Sequence, residues 1–135
     1  MNINELVIGS EYSDSEIMET FKFSDIAGMR FSKENNILVI VFDHNKIYDD
    51  FWEDDVLYYT GTGRFGHQNL EISENKILYE SETNGVKIHL FEVFEERVYT
   101  YQGEFKLAGD PYKDIQPDAN GFNREVWMFP LTKKE

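Results

Sequence analysis

The hydrophobic pattern near the start of the chain predicts one short helix. Residues 13–16 read Ser-Asp-Ser-Glu, the form of a capping box, in which the serine begins a helix and the glutamate reaches back to it. Ile17 and Phe21 follow with the i, i+4 spacing of an apolar helix face. We therefore expect a helix over residues 14–21.

After this helix, the apolar residues are spaced as in β-strands. The continuous apolar run 37–42 is typical of a buried strand, and the alternation from Val86 to Leu90 is typical of a strand with one buried face. Shorter apolar and aromatic runs predict the remaining strands. The expected strands are 36–42, 56–60, 76–81, 86–94, 97–105 and 125–129.

Short turns between these strands indicate antiparallel pairing. Asn84-Gly85 is a strong two-residue hairpin signal, Glu95-Glu96 joins the next pair, and residues 118–121 form a turn before the last strand. Several short strands with one or two small helices predict an α+β, mainly β fold, as a curled sheet or small barrel. We predict one domain over residues 1–135, with residues 1–20 as an N-terminal extension that includes the short helix.

The composition favours a folded cytoplasmic protein. Aromatic residues make up 16% of the chain, which excludes a disordered protein because disorder requires few aromatic residues. The run 37–42 is too short to span a bilayer, and residues 1–6 lack the pattern of a signal peptide, so no membrane association is expected. The absence of cysteine excludes disulfides, thiolate metal sites and a cysteine nucleophile.

The charge limits the choice of partners. The chain has 13 basic and 26 acidic side chains, a net charge of −13, and is therefore repelled by nucleic acid at long range. The acids are concentrated in places, with five of them in residues 49–55, which we expect to form a solvated surface. Residues 56–70 hold no acid at all but include Arg64 and His67. One neutral to basic segment therefore lies within an acidic chain.

Residues 61–66 match the pattern G-x-G-x-x-G without the context of a cofactor or kinase loop. No amphipathic helix follows Gly66, as a dinucleotide site needs, and the kinase motifs H-R-D and D-F-G are absent. The glycines are instead expected to form a loop that needs positive φ or the close approach of another group. The two tryptophans, Trp52 and Trp127, are expected to lie mostly in the core.

The residues around this loop favour ligand binding. They are aromatic or hydrogen-bonding: Tyr58, Tyr59, Thr60, Arg64, Phe65, His67, Gln68 and Asn69. Rings offer stacking faces, while side-chain amides offer paired donors and acceptors. These groups read the edge of a base flipped out of a duplex, and they also occur in sugar and nucleotide sites.

Nothing in the sequence predicts a metal, a cofactor or a catalytic centre. His44 lies in a predicted turn and is expected at the surface, and His89 lies on the polar side of a predicted strand. The zinc pattern H-E-x-x-H and the hydrolase pattern G-x-S-x-G are both absent. If the chain acted on a base, His67 would be the candidate acid or base near the loop.

Residues 21–131 resemble a known family in a series of motifs that keeps its order. The most specific are Tyr59-Thr-Gly-Thr-Gly63 and His89-Leu-Phe-Glu92. The others include Ala27-Gly-Met-Arg30, Tyr48-Asp-Asp50, Trp52, Gly66-His-Gln68, Glu74-Asn-Lys76, Tyr101-Gln-Gly103, Pro111-Tyr112, Gln116, Asp118 and Phe129-Pro-Leu131. The sequence is similar to the SRA-type (PUA-like) domain that precedes an HNH nuclease in modification-dependent restriction endonucleases.

The resemblance implies a strongly curved, PUA-like β-barrel with one or two small flanking helices. It implies a reader of methylated or otherwise modified cytosine in double-stranded DNA, which flips the base into a pocket. Carried over by position, the residues that line or shape this pocket are Tyr58, Tyr59, Thr60, Gly61, Gly63, Gly66, His67, Gln68 and Asn75, with His89 and Phe91 on an adjacent strand. The candidate phosphate contacts are Arg30, Lys33, Arg64 and Lys76.

The chain departs from this family at His67, where an aspartate is usual. A carboxylate accepts a hydrogen bond from the cytosine amino group, whereas a neutral histidine offers one donor and one acceptor. The identity of the modified base is therefore left open. No nuclease segment follows Leu131, so we expect a non-catalytic reader in a restriction or defence system, with a separate nuclease domain or subunit as a candidate partner. The oligomeric state is also left open.

Two other functions fit the same fold. An acidic protein could mimic DNA or bind a regulatory partner, with residues 49–55 as the contact surface. The cavity could alternatively bind a small ligand such as a nucleotide. A basic partner protein would favour the first, and binding of a free nucleotide would favour the second.

Overall fold

One curled nine-stranded sheet organises the fold. The computed structural model describes residues 1–26, 28–46 and 48–134. The strands run in the order β2-β3-β6-β7-β9-β5-β4, with β1 added to β7 and β8 added to β9. Their bounds are β1 Glu11–Ser13, β2 Met29–Ser32, β3 Ile37–Asp43, β4 Phe51–Glu53, β5 Val56–Thr60, β6 Lys87–Val93, β7 Val98–Leu107, β8 Tyr112–Pro117 and β9 Asn123–Lys133.

Three helical segments accompany the sheet in the described ranges. They are a 3-10 turn at Ile3–Glu5, α1 at Asp14–Phe21 and α2 at Ser73–Tyr79. The prediction of a mainly β fold with small helices is confirmed. No helix in these ranges is long and apolar enough to cross a membrane. Ala27, which begins one of the family motifs, lies outside the described residues.

Helix α1 begins as the sequence predicted. The Ser13 hydroxyl accepts the backbone N–H of Glu16 at 3.2 Å, and the Glu16 carboxylate accepts the N–H of Ser13 at 2.9 Å. Ile17 and Phe21 are fully buried against one face of the sheet, where they pack with Val39 and Phe91. The helix therefore covers the outer face of β3 and β6.

A second apolar cluster fills the inside of the curl. Alternate residues of β3, β5, β6 and β9 point into it, so that each strand contributes to both faces. Its buried members include Leu38, Ile40, Leu57, Leu90 and Phe129. The two clusters fix the register of the strands, because a slip by one residue would expose both faces.

The predicted strand over residues 76–81 is wrong. This segment belongs to α2, whose buried residues Asn75 and Leu78 are three positions apart, as on one side of a helix. The short apolar run Ile77 to Tyr79 cannot distinguish a strand from a helix by its pattern alone. The hairpin predicted at Asn84-Gly85 is wrong for the same reason, since these residues connect a helix to β6.

The pairing of the strands is antiparallel with one exception. Strands β3 and β6 are parallel, with Leu38 opposite Ile88 and Val41 opposite Phe91. The residues between them include β4, β5 and α2, which supply the long crossover that a parallel pair requires. The expected turn at 118–121 is confirmed by a hydrogen bond from Gly121 N–H to the Asp118 carbonyl at 2.9 Å.

The expectation for Trp52 is wrong, while Trp127 packs partly against the core. Trp127 is half-buried against the inner cluster. Trp52 is 37% exposed, and its Nε1–H donates to the buried carboxylate of Glu92 at 3.1 Å. His44 is exposed at the surface as predicted, and its Nε2 lies 2.7 Å from the same Glu92 oxygen. Polar contact with Glu92, rather than burial, therefore holds Trp52.

Candidate functional site

A cavity of about 510 Å³ opens beside the carboxyl ends of β3 and β5 and the start of β2. Val41 and Asp43 line it from β3, and Tyr59 and Thr60 line it from β5. Much of the remaining wall comes from loops, which include Gly28, Tyr48, Asp50, Gly61, Thr62, Arg64, Glu96 and Arg97. The cavity therefore combines rigid strand ends with several loops.

Asp50 is the most perturbed acid at the cavity wall. One oxygen of its carboxylate accepts the backbone N–H of Thr60 at 2.6 Å. Burial raises the pKa of Asp50 to about 6, and the hydrogen bonds from Thr60 oppose this shift. Near neutral pH this carboxyl group can therefore exist in both its charged and its neutral form.

Two tyrosines flank Asp50. The hydroxyl of Tyr59 donates to the carbonyl of Val41 at 3.0 Å, and the ring is almost fully buried. Burial raises the pKa of Tyr59 well above its usual value, and the adjacent Asp50 adds to the shift. Tyr48 donates its hydroxyl to the carbonyl of Gly63 at 3.2 Å and is half-buried. The two rings are therefore held in fixed positions on the cavity wall.

The glycine loop that follows β5 is held from behind by two amide side chains. Gln68 donates from Nε2 to the carbonyls of Gly61 and Gly63, at 2.6 and 3.2 Å, and its Oε1 accepts the N–H of Trp127 at 2.9 Å. Asn75 accepts the N–H of Thr62 at 2.8 Å and donates to its carbonyl at 3.0 Å. Both amides are buried and engaged with backbone.

This arrangement explains why residue 61 is a glycine. A Cβ at Gly61 would lie 2.7 Å from Oδ1 of Asn75 and 2.9 Å from Oε1 of Gln68. Gly63 has a φ of +127°, a region that side chains rarely adopt. Gly61 is therefore required because neighbouring side chains approach its Cα closely. Gly63 is required because its backbone has a positive φ.

The predicted ligand-binding residues separate into three groups. Tyr59, Thr60 and Gly61 line the cavity. Gln68 and Asn75 hold the loop, and Gly63 and Gly66 belong to it with positive φ. The third group lies elsewhere: Tyr58, His67, His89 and Phe91.

His67 lines a shallower depression outside the main cavity. Its Nδ1 accepts the backbone N–H of Glu125 at 2.9 Å, which leaves Nε2 as the position that carries the proton in the neutral ring. Lys113 and Trp127 line the same depression, with the ammonium group 5.6 Å from the centre of the indole ring. His67 therefore faces a different surface from Asp50.

His89 and Phe91 pack under α1. Nδ1 of His89 lies 2.8 Å from the Tyr101 hydroxyl, and its ring lies 6.0 Å from that of Phe21. Burial lowers the pKa of His89, which keeps the ring neutral at pH 7. Phe91 belongs to the apolar cluster under α1, His89 is buried beside it, and neither side chain lines the cavity.

The charges around the cavity are balanced, in contrast to the chain as a whole. The lining residues include four cations, Arg30, Lys46, Arg64 and Arg97, and four acids, Asp14, Asp43, Asp50 and Glu96. The predicted phosphate contacts Lys33 and Lys76 are exposed and do not line the cavity. The charged side chains that line the cavity therefore have no net charge, although the chain as a whole has a net charge of −13.

Arg30 is already paired at the cavity wall. Its Nε and Nη2 lie 2.9 Å from the two carboxylate oxygens of Asp25, and Nη1 lies 3.9 Å from Glu74. Arg64 is exposed and has its guanidinium carbon 5.9 Å from the centre of the Phe65 ring. Of these two arginines, Arg64 is thus the more available to an external anion.

Most of the residues that line the cavity are not predicted by the sequence, among them Lys46, Tyr48, Asp50 and Arg97. Tyr48 and Asp50 belong to the family motif Tyr48-Asp-Asp50, which is the signal in the sequence that points to them. Lys46 and Arg97 had none, because the fold alone brings their loops together. Among the described residues, no group of three or more His, Asp or Glu side chains is placed to hold a metal ion.

The family model for the ScoMcrA-like SRA domain matches residues 8–134 of the sequence. No curated protein matches the sequence. Among solved structures, the fold is similar to the type IV phosphorothioation-dependent restriction endonuclease ScoMcrA, at a TM-score of 0.78 and 17% identity. It is similar to the ScoMcrA sulfur-binding and SRA domains complexed with phosphorothioated DNA, at a TM-score of 0.77 and 16% identity.

A third similar structure is the SRA domain of SUVH5 complexed with fully methylated CG DNA, at a TM-score of 0.75 and 19% identity. The match covers 98% of this chain and 91% of that one. In the two ScoMcrA structures, 96% of this chain is covered, but only 24% and 40% of the other. At these identities the likeness concerns the fold.

Proposed function

The chain belongs to the ScoMcrA-like SRA domain family, and we propose that it is a reader of modified bases in double-stranded DNA. The observation that carries the proposal is the cavity in which Tyr48, Asp50 and Tyr59 meet. Its volume of about 510 Å³ lies within the range of small-molecule sites. A base flipped out of the duplex would enter it.

Asp50 is the proposed reader of the base edge. Cytosine presents an amino donor at N4 and an acceptor at N3. A charged carboxylate accepts from N4 only, whereas a protonated carboxyl group also donates to N3. A pKa of about 6 makes the second form accessible, and this favours a cytosine-type edge.

The two tyrosines provide the faces on which the base would stack. Enzymes and readers that flip a base hold it between aromatic or apolar side chains. Tyr48 and Tyr59 have fixed hydroxyl partners, so little ring motion is lost when a base enters. The predicted contributions of Gln68 and Asn75 become indirect in this proposal, because their amides hold the glycine loop in place.

Phosphate contacts are proposed at the cation-bearing rim. Arg64, Lys46 and Arg97 belong to three different loops around the opening. They would offset locally the repulsion that a net charge of −13 exerts on DNA. Lys33 and Lys76 are exposed on the surface away from the cavity, and neither is proposed to contact phosphate in this arrangement.

The reader is proposed to act in the cytoplasm without catalysis of its own. No histidine lines the cavity in the described part of the chain, so His67 is not placed for proton transfer there. Cleavage would come from a separate nuclease domain or subunit, of HNH type by the family resemblance. His89 and Phe91 would support the fold, Tyr58 lies on another surface, and none of the three would touch the base.

The test is fluorescence anisotropy at low salt with a set of short duplexes. The probes carry unmodified cytosine, methylcytosine, hydroxymethylcytosine, glucosylated hydroxymethylcytosine or a phosphorothioate linkage. We expect one duplex with a modified base to bind at least about tenfold more tightly than the unmodified one, a difference of about 1.4 kcal/mol. Selective binding of the phosphorothioate duplex alone would contradict base recognition. Equal binding of all probes, or binding of none, would contradict the proposal.

A matched pair of variants links this selectivity to the cavity. Tyr48→Ala is expected to remove the preference, whereas Tyr79→Ala, at a 41% exposed position on α2, should leave it unchanged. Free nucleoside monophosphates serve as a further probe. Binding of a nucleotide without binding of any duplex would favour the small-ligand function instead.

A further inference from the structure

Three aromatic rings form a row on the outer side of β4, β5 and β8. Phe51 and Tyr58 are register partners, with ring centres 4.9 Å apart and an interplanar angle of 15°. Tyr58 and Tyr112 follow at 6.3 Å and 65°. We call these three side chains the aromatic row. None of them lines the cavity.

The aromatic row faces away from the core. Tyr58 stands between Leu57 and Tyr59, which are both buried inside the curl, so its own side chain points to the opposite face. Phe51 is 42% exposed and Tyr112 is 39% exposed. Contiguous exposed apolar surface of this kind marks interaction sites in soluble proteins.

Two carboxylates border the aromatic row. Glu53 follows Phe51 by two residues and Asp114 follows Tyr112 by two, which places each acid on the face of its aromatic neighbour. Burial first, then Asp114 and Glu53 together with Tyr58, raise the pKa of Tyr112, so both acids lie close to its ring.

Few cations share this face. Lys113 lies between Tyr112 and Asp114 in sequence, and its ammonium group sits on the other side of the strand, over Trp127. Lys106 marks the border, opposite Thr132 in the pairing of β7 with β9. The face is thus aromatic at its centre and acidic at its edge.

We propose that the aromatic row, with Glu53 and Asp114, binds a basic protein segment that presents arginine side chains. A guanidinium group stacks on aromatic faces and forms paired hydrogen bonds with carboxylates, so it suits both components of this surface. DNA is disfavoured here, because the acids repel phosphate. None of the five residues lines the cavity, so this surface is distinct from the proposed base site.

The test uses the full chain and a short fluorescein-labelled peptide of alternating arginine and glycine, followed by anisotropy at physiological salt. Phe51→Ala and Tyr112→Ala are each expected to weaken binding by about two- to fivefold, the size of an exposed cation–π contact. Tyr79→Ala, a similarly exposed ring on α2, should leave binding unchanged. The corresponding lysine peptide should bind more weakly.

A second pair of variants separates this surface from the net charge of the protein. Glu53→Gln combined with Asp114→Asn removes two charges at the row, and Glu11→Gln combined with Glu19→Gln removes two exposed charges elsewhere. We expect only the first pair to weaken binding of the arginine peptide. Equal losses in the two pairs, or no binding at all, would overturn the proposal.

The DNA experiment distinguishes this proposal from the function of the cavity. Phe51→Ala and Tyr112→Ala should retain the duplex selectivity of the parent protein, since neither residue lines the cavity. Their melting temperatures are measured in parallel. A loss of selectivity at unchanged melting temperature would place the row in the DNA site and overturn the assignment to a protein partner.

Discussion

The carboxylate of Asp50 accepts the backbone N–H of Thr60 at 2.6 Å and so ties the loop after β3 to the end of β5. Both residues line the cavity. The hydrogen bond holds this oxygen against the backbone of β5 and orients the carboxyl group at the cavity wall. Asp50 therefore has both a structural contact and a proposed role in recognition, and its protonation should affect both stability and DNA binding.

Asp50→Asn is expected to change how stability depends on pH. Because the pKa of Asp50 is raised from 3.8 to about 6 in the folded state, the neutral form is favoured by folding. Its stabilising contribution is full below pH 3.8 and is lost as the pH rises through about 6. Relative to the variant, the parent should lose about 2 kcal/mol of unfolding free energy across this interval.

Urea unfolding of parent and variant at a series of pH values measures this difference. Asparagine can still accept the Thr60 N–H, so the variant should fold and its own curve serves as the reference for all other titrating groups. A difference between the two proteins that stays constant from pH 4 to pH 7 would contradict the raised pKa of Asp50. Selectivity for a modified duplex, measured on the same samples, should be retained in the variant, because an asparagine amide also accepts from N4 and donates to N3.

Gly61→Ala is expected to destabilise the protein and reduce duplex selectivity. The added methyl group would meet the side-chain oxygens of Asn75 and Gln68 at 2.7 and 2.9 Å, so the loop must shift. Overpacking of this kind costs about 1 to 3 kcal/mol. Gly109→Ala is the matched control, because its nearest neighbour is Pro130 at 3.8 Å. Equal stability of the two variants in thermal unfolding would show that the loop has room at residue 61.

Gln68→Ala tests whether this amide acts by holding the glycine loop. The substitution removes hydrogen bonds to Gly61, Gly63 and Trp127, and it leaves buried backbone groups without partners. We expect a loss of about 1 to 3 kcal/mol in unfolding free energy together with weaker discrimination between duplexes. Asn69→Ala should change neither, because this exposed side chain accepts the backbone N–H of Glu71 and has no other hydrogen bond within the described residues.

The outcome for Gln68 has a clear alternative. If Gln68→Ala kept its stability but lost duplex discrimination, the amide would read the base directly. If it lost stability but kept full discrimination, the loop would have no part in recognition. Only the combined loss agrees with a positioning role.

The sequence predicted the elements that have a long run of apolar residues or a helix-capping motif. The capping box at Ser13 and the run 37–42 each correspond to an element of the structure, because local chemistry determines both. The strand predicted over 76–81 is wrong because three consecutive apolar residues fit the spacing of a helix as well as that of a strand. The parallel pairing of β3 with β6 could not be predicted, since it depends on a crossover of more than forty residues.

The candidate site was predicted less completely than the fold. Tyr59 and Thr60 were identified from the residues beside the glycine loop, and both line the cavity. Asp50 was interpreted as part of a solvated acidic run, because composition alone cannot show that one of five neighbouring acids turns inward. His67 has hydrogen-bonding groups suited to a base edge, but it lies on the side of the glycine loop that faces away from the cavity. The sequence does not show this, because it follows from the hydrogen bond between Glu125 N–H and His67 Nδ1.

The salt dependence of DNA binding should identify the cations that meet phosphate. Each contact that is removed lowers the slope of log K against log salt concentration by about 0.9. We expect this change for Arg64→Ala and for Lys46→Ala, since both residues line the cavity and neither forms an ion pair within the described residues. Lys33→Ala, at an exposed turn between β2 and β3, is the matched control.

A lower slope for Lys33→Ala with an unchanged slope for the other two would place the DNA across the β2–β3 turn and away from the cavity opening. A lower slope for Arg64→Ala alone would restrict the contact to the glycine loop. Duplex selectivity should survive in all three variants, because phosphate contacts position the DNA without reading its sequence.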